Sequence, residues 1–447
     1  MCVRTSLAAL LAVLAPACSR APAGAQPPQL IVLVSIDTLR PDHLGCYGYA
    51  RNTSPTLDRL AREGTLFEDA MTPAPWTLPA HASLLTGLYP SRHGVKGFGH
   101  YLPAKLETLA QVLGRSGYAT AAVVNSHLLT SRSGLDRGFQ EFVYVEEMAP
   151  QREPTRKLVD QAIEWLTRSR ARKAFVFLHS YDVHSDYKAE ERYEREFLRP
   201  YAGKADGTSR QLMAVREGKA ALGPADAPNL IDRYDAGIRQ TDDEIARLVR
   251  FLETSGLLER TLLVVTSDHG EEFFEHGGVL HGRTQFQEVV RVPLILRGPG
   301  VPRGRRVAMP VSLLDVMPTL AARAGAKASA NLDGDDLAPA LAGDAPRLAG
   351  RTLFGEADHV NSQPDITRAV RRGGFKLVYD RVTEERRVFD LAGDPGETRD
   401  ASAAHAETTR QLEQQLQRFL AIRAEQAGSS KLTPAEIEKL RSLGYVQ

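Results

Sequence analysis

Five stretches are almost continuously apolar and rich in β-branched residues: Leu30–Ile36, Ala119–Val124, 174–178, 261–267 and 292–296. A strand buried on both faces reads this way, because neither side alternates with solvent. Between them the spacing changes to the helical period. Residues 57–63, 106–113, 156–169 and 231–252 carry apolar positions three and four apart; in the last of these they are Tyr234, Ile238, Ile245, Leu248 and Leu252. Strands and helices in alternation predict an α/β domain with a parallel sheet and helices on both faces. Residues 185–228 are polar, with Gly, Pro and charges, and predict an irregular insertion. Beyond residue 345 the runs at 352–355, 367–370, 375–379 and 387–391 predict a small antiparallel sheet, with a hairpin at Arg372-Gly373-Gly374 and a covering helix over 404–424. Thr433-Pro434-Ala435-Glu436 predicts a capped final helix that Gly444 ends.

Length and composition narrow the picture. The 447 residues suffice for one large α/β domain and a smaller one. A formal net charge of +1 with no long basic run argues against nucleic-acid binding. The N-terminus, with Arg4, a short apolar run over 7–14 and Ala15-Pro16-Ala17-Cys18, predicts an export signal followed by an Ala/Pro-rich tether. The run is too short for a membrane anchor. Of the three cysteines, Cys2 and Cys18 fall in or beside this segment, so Cys46 stands alone in the folded part and no intrachain disulfide is expected.

The ends of the apolar runs carry the chemistry. Ligand sites in open parallel sheets gather at the carboxyl ends of strands. The first run ends at Asp37, the second delivers Asn125 and His127, the third His179 and His184, and the fourth Asp268-His269, followed by His276 and His281. An adjacent Asp and His offer one oxygen and one imidazole ligand, a pairing that suits zinc or manganese better than magnesium. His179 reads as a satisfied strand-end histidine. Thr77 opens a Pro-stiffened approach to a helix and is expected just outside the helix N-terminus. Free N–H groups and the dipole there favour an anion or a forming alkoxide. An ordinary N-cap is the plainer reading of the same residue.

The stretch 76–87 resembles the modification motif of the sulfatases, Cys/Ser-x-Pro-Ser-Arg-x-x-x-Leu-Thr-Gly. Pro79, Leu85, Thr86 and Gly87 fall on the pattern, whereas Thr77 replaces the oxidisable residue, Ala80 the Ser and His81 the Arg. Oxidising threonine would give a ketone rather than the aldehyde that becomes formylglycine, so the resemblance implies a plain hydroxyl at position 77. The block 37–49 resembles the first sulfatase block, with one acid where many members carry two adjacent ones. The block 267–282 resembles phosphoethanolamine transferases, which use a metal-bound threonine; no lysine occurs between Lys219 and Lys327, where sulfatases carry one.

The resemblance implies an alkaline phosphatase-like α/β fold: a signal segment and tether over 1–28, a catalytic doubly wound, mainly parallel sheet over 29–345 and an antiparallel α+β subdomain over 346–447. It implies a metal-dependent hydrolase of sulfuric or phosphoric esters. Asp37, Asp268 and His269 would hold the metal, Thr77 would be the nucleophile, and His184 and His281 would be catalytic. His81, Asn125 and His127 would face substrate oxygens. The implied cofactor is a divalent ion, zinc or manganese ahead of calcium, with one or two ions per site. The implied partner is a small-molecule or glycan ester, with no nucleic acid and no protein partner. Export to a bacterial periplasm or envelope is expected, with Cys18 as the lipid anchor or Ala25 as an alternative cleavage site. A transferase acting on an envelope glycan and an inactive sulfatase-like binding protein are the competing readings.

Overall fold

The computed structural model describes residues 27–146, 154–169, 173–358, 366–422 and 426–442. The leader, Cys18 and Gly444 lie outside these. Nine strands form the main sheet: β1 (Leu30–Ile36), β2 (Thr65–Met71), β3 (Ala119–Val124), β4 (Glu141–Tyr144), β5 (Ala174–Ser180), β6 (Thr261–Thr266), β7 (Arg291–Arg297), β8 (Arg305–Val307) and β9 (Val311–Ser312). Their order is β8-β2-β7-β6-β1-β5-β3-β4, with β9 also on β2. All pairings are parallel except those of β7, which runs antiparallel to both β2 and β6. This is the mainly parallel, doubly wound sheet that the apolar runs imply.

Side chains alternate across the central strands, and each face has its own core. Ile31, Leu33, Phe175, Phe177, Leu262 and Val264 point to one side. There they meet the helices α2 (Thr77–Thr86), α3 (Leu109–Arg115) and α6 (Val316–Arg323). Val32, Val34, Val176, Leu178, Leu263 and Val265 point to the other. On that side lie α1 (Pro55–Glu63), α4 (Pro154–Arg168) and α5 (Ala227–Thr254). Each such side chain contributes about 1.5–3 kcal/mol on burial, so the three middle strands are the rigid base of the molecule.

The smaller sheet has four antiparallel strands, β10 (Thr352–Ala357), β11 (Thr367–Arg372), β12 (Phe375–Asp380) and β13 (Arg386–Asp390). The helix α7 (Ala406–Leu420) sets Leu412 and Leu416 on Val370, Leu377 and Val388. The expected hairpin is present, with Gly373 at φ 58°. Polar ties join this layer to the main one: Arg371 pairs with Asp69, Lys376 Nζ donates to Gln285 O at 2.6 Å, and Glu356 N donates to Pro73 O at 2.9 Å. The final helix, Pro434–Ser442, has the expected cap, with Glu436 N on Thr433 Oγ1 and Thr433 N on Glu436 Oε2.

One expectation changes. The insertion at 185–228 is not irregular, since it contains helices at Glu191–Phe197 and Ser209–Arg216 that pack Tyr193, Phe197 and Leu212 inward. Residues 312–324 form a short 3-10 turn, Leu313–Asp315, before α6. Among the described residues, no helix is long and apolar enough to cross a membrane.

Candidate active site

Strands β1 and β6 end side by side and deliver two acids to one point. The backbone of Asp37 donates to Ser180 O at the end of β5, and Thr38 follows with φ 55°. A non-glycine residue held in the left-handed region costs of order 1–3 kcal/mol and is tolerated where the surroundings enforce it. Here they do: Thr38 N donates to Asp268 Oδ1 at 3.3 Å and Leu39 N to Ser267 Oγ at 2.9 Å, which locks the two loops together.

Helix α2 brings Thr77 to the same point. Thr77 is the first helical residue, and the N-cap position belongs to Trp76. The expectation that Thr77 stands just outside the helix is therefore off by one residue. The difference matters, because a cap would spend its hydroxyl on a backbone N–H. Instead Thr77 Oγ1 lies 3.5 Å from Asp37 Oδ2 and 3.4 Å from His269 Nε2, fully buried. One turn on, His81 clamps this end of the helix to the sheet: Nδ1–H donates to Thr77 O at 2.8 Å, and Ser35 Oγ–H donates to Nε2 at 3.0 Å. Both ring nitrogens of His81 are thereby engaged.

Asp37, Asp268 and His269 offer ligand atoms that all lie within 4.8 Å of one another. His269 Nδ1–H donates to Gly270 O at 3.0 Å, which leaves the Nε2 lone pair facing Asp268 Oδ2 at 3.3 Å and Asp37 Oδ1 at 3.6 Å. Those two carboxylate oxygens are buried without a hydrogen bond. Three electron-rich atoms pointed at one another in a low-dielectric pocket repel, unless a proton or a cation sits among them. Burial, reinforced by the charge of Asp268, pushes the Asp37 carboxyl well above the usual range. Burial alone would lower His269; the charges of Asp268 and Asp37 outweigh it and raise that imidazole. The donor set of two carboxylates, an imidazole and the adjacent hydroxyl fits a divalent cation. A second grouping, His81, His179 and Asp268, is equally close-set, but the nitrogens of His81 already have partners.

The other histidines divide in two. His281 and His184 join the cluster: the His281 ring lies 4.2 Å from that of His269, and the His184 ring 5.0 Å from that of His281. Each carries its proton on Nδ1, His281 toward Glu271 Oε1 at 2.9 Å and His184 toward Ser185 O at 2.6 Å, so each presents Nε2 as an acceptor. Burial keeps both neutral: it pulls His184 down to about 3, and, aided by His269 and Arg216, pulls His281 well below its ordinary value. His179, read from sequence as a strand-end residue, sets Nε2 3.3 Å from Asp37 Oδ2.

Asn125 and His127 sit elsewhere. The Asn125 amide is buried between strand ends, donating to Val145 O and accepting from Tyr181 N. His127 is half-buried, faces the Tyr144 ring and lines a cavity with Leu78, Arg132 and Glu436. His276 pairs with Glu288 and stacks on Phe286. The sequence alone assigns no role to Ser35 or Glu271. Ser35 gives no local signal, whereas Glu271 sits in the Asp-His-Gly-Glu step itself.

The chain has known relatives. The family model described as Sulfatase matches residues 29–326, and a second, for the C-terminal part of N-sulphoglucosamine sulphohydrolase, matches residues 275–423. Arylsulfatase A of Homo sapiens is 29% identical, with 93% of this chain and 91% of that protein covered. Steryl-sulfatase of Mus musculus is 28% identical, with 78% and 70% covered. Among solved structures, the phosphonate monoester hydrolase of Agrobacterium radiobacter superposes with a TM-score of 0.74 at 24% identity, covering 91% of this chain and all of that one. A structure in complex with its substrate D-glucosamine-2-N,6-O-disulfate superposes with a TM-score of 0.75 at 20% identity, covering 88% and 97%. The structural likenesses carry the alkaline phosphatase-like fold. With a family model spanning well over half its length, the chain belongs to the sulfatase family and is a hydrolase of ester bonds.

Proposed function

We propose that the protein is a metal-dependent hydrolase of sulfuric, phosphoric or phosphonic esters in which the unmodified hydroxyl of Thr77 is the nucleophile. The observation that carries this reading is the approach of Thr77 Oγ1 to His269 and Asp37 at 3.4 and 3.5 Å. Asp37, Asp268 and His269 would hold the divalent ion, with zinc or manganese favoured by the mixed oxygen and imidazole set. When bound, the ion supplies Lewis acidity, lowering the hydroxyl pKa and offsetting charge on a non-bridging ester oxygen.

The chain's own residues then act in two half-reactions. Thr77 Oγ attacks sulfur or phosphorus, and its proton passes to Asp37 Oδ2. The ester C–O–S or C–O–P linkage opens at its S–O or P–O bond, and the departing alkoxide or aryl oxide is protonated by water. The esterified Thr77 is next attacked by water, whose proton goes to Nε2 of His281, or to Nε2 of His184, which faces the Tyr181 hydroxyl at 3.4 Å. Thr77 Oγ leaves with the electrons of its S–O or P–O bond and takes back the proton held on Asp37 Oδ2, the histidine proton neutralises the hydroxide left by the first step, and the acid product departs. The helix dipole of α2 and its free N–H groups favour the charge that builds on Thr77 Oγ. Names of the relatives, arylsulfatase A and phosphonate monoester hydrolase among them, point to sulfate monoesters and phosphonate monoesters as the first substrates to try. Export through the N-terminal segment, with Cys18 lipidated, belongs to the same reading.

The decisive assay sets the purified protein, with its metal content measured, against p-nitrophenyl esters of sulfate, phosphate, a phosphate diester and a phosphonate. Turnover of one class with about one or two ions per chain supports the proposal. Failure on all four, in a fully metal-loaded sample, overturns it.

A further inference from the structure

The residues 272–280 form a small two-stranded ribbon, Glu272–Phe273 against Val279–Leu280, in which Glu272 lies opposite Leu280. The next pair outward is Glu271 and His281. The ribbon is held in this register from two sides. Gly270 N donates to Val289 O and Glu271 N to Glu288 O, at 2.7 and 3.0 Å. Arg216 Nη2 donates to Val279 O and to His281 O, at 2.9 and 2.7 Å. A side chain at Gly270 would meet Glu288 O at 2.0 Å, so this close approach requires glycine. Leu280, just before His281, is held at φ 65°, a conformation unfavourable for a leucine and maintained here by those ties.

We propose that Glu271 is the positioning residue of His281: its carboxylate fixes the ring's orientation and its Nδ1–H tautomer, so that the bare Nε2 faces the Thr77 centre. This rests on the hydrolase reading above. Glu271 Oε1 lies 2.9 Å from His281 Nδ1. A carboxylate has only lone pairs to offer, so the shared proton belongs to Nδ1 and Nε2 is left as the acceptor. Glu271 is fully buried, and among the described residues no lysine or arginine ion-pairs with it. A buried acid is costly to keep. It is not needed to hold its own loop, because the backbone of Glu271 is already bonded to Glu288 O. What the side chain adds is the bond to His281, with the buried Tyr187 hydroxyl beside its carboxylate. Carboxylate partners of metal-ligating histidines tune the imidazole they hold, and their loss typically lowers function about 10- to 100-fold; a pair set against the metal-site histidine is expected to act on the same scale.

Two substitutions separate reach from charge. Glu271→Gln keeps the length and an acceptor oxygen but loses the charge; Glu271→Asp keeps the charge but withdraws the oxygen by one methylene. Both are compared with wild type for kcat and KM on the ester class the protein turns over, alone and combined with His281→Ala. Positioning requires Glu271→Gln to stay within about fivefold in kcat while Glu271→Asp falls about 10- to 100-fold, with KM little changed in either. It also requires Glu271→Asp to cost less than about threefold once His281 is Ala, because its effect runs through that ring. The reverse order, Asp active and Gln impaired, or an equal loss with and without His281, would overturn the proposal. If His281→Ala itself turns over at the wild-type rate, the assignment of His281 fails and the role of Glu271 goes with it. A large loss in His281→Ala beside a fully active Glu271→Asp sinks the positioning role alone.

Discussion

Replacing Thr77 by valine isolates the hydroxyl more cleanly than alanine does. Valine has the same branched shape, so Thr77→Val leaves no cavity at a site with no solvent exposure. The hydroxyl's contacts, at 3.5 and 3.4 Å, are long for hydrogen bonds, so their loss should cost no more than about 1 kcal/mol of stability. Helix capping is unaffected, since Trp76 and not Thr77 is the N-cap residue. The rate should respond very differently. Deleting a nucleophile costs on the order of a thousandfold or more, equivalent to roughly 4 kcal/mol of activation free energy. The assay is steady-state turnover plus a rapid-mix burst measurement at high enzyme concentration, with thermal unfolding and metal content on the same samples. Thr77→Val should keep its metal and its melting temperature within a few degrees, lose the burst and lose at least about a thousandfold in kcat. Thr77→Ser should stay within about tenfold, because it keeps the oxygen and loses only a methyl. Intact mass across residue 77 should show unmodified threonine. Thr77→Val with kcat above a tenth of wild type, metal still bound, would refute covalent catalysis and leave direct attack by water.

Three other outcomes follow. Asp268→Asn and His269→Ala should each lower bound metal and turnover together, as read by elemental analysis and kinetics; full occupancy in the double variant would remove both from the ligand set. Asp242 is buried beneath the start of α1, accepting from Thr56 N and Leu57 N, and burial pushes its carboxyl up to about 6. A folded-state pKa above the unfolded value stabilises the protein fully below about 4 and loses that contribution as pH rises through about 6, so wild type should lose stability relative to Asp242→Asn over that interval in urea melts. A gap between the two that widens toward acid in favour of the variant would contradict this. Cys18→Ser should move the protein from the membrane pellet to the soluble fraction of an expressing bacterium; a wild-type protein already soluble there would favour cleavage after Ala25 instead.

The fold was legible because strands buried on both faces write themselves as unbroken apolar runs. β1 and β3 have the bounds read from sequence, and β5, β6 and β7 differ from their runs by one or two residues at an end. Strand direction leaves no such mark. β7 carries Pro293 and a register shift between Val292 and Leu294, and it runs against its neighbours, yet its hydrophobicity is that of a parallel core strand. The helices at Glu191–Phe197 and Ser209–Arg216 were hidden in a polar stretch because each is short and buries only a few side chains. Thr77 was misplaced by one residue for a physical reason. Threonine is a preferred cap and tryptophan is not, but packing of the buried Trp76 against Phe98 overrides that local preference.

The site was legible only where its chemistry lies in consecutive residues, as in Asp268-His269. Its other members meet through strand order. Strands β6, β1 and β5 are adjacent, so the ends carrying Asp268, Asp37 and His179 converge although they come from distant parts of the sequence. Ser35 is level with His179 on one side and Thr266 on the other, one pleat below Asp37, and that level sets the height at which His81 is anchored. Through His81 it fixes where the first turn of α2, and hence Thr77, meets the acids. A serine in the middle of an apolar strand carries no chemical signal of its own. Its role follows from its neighbour across the layer, a histidine one helical turn beyond Thr77 that it ties to the sheet. The placement of the Thr77 hydroxyl is thus a property of the layered packing, and a substitution at Ser35 should act on Thr77 without touching it.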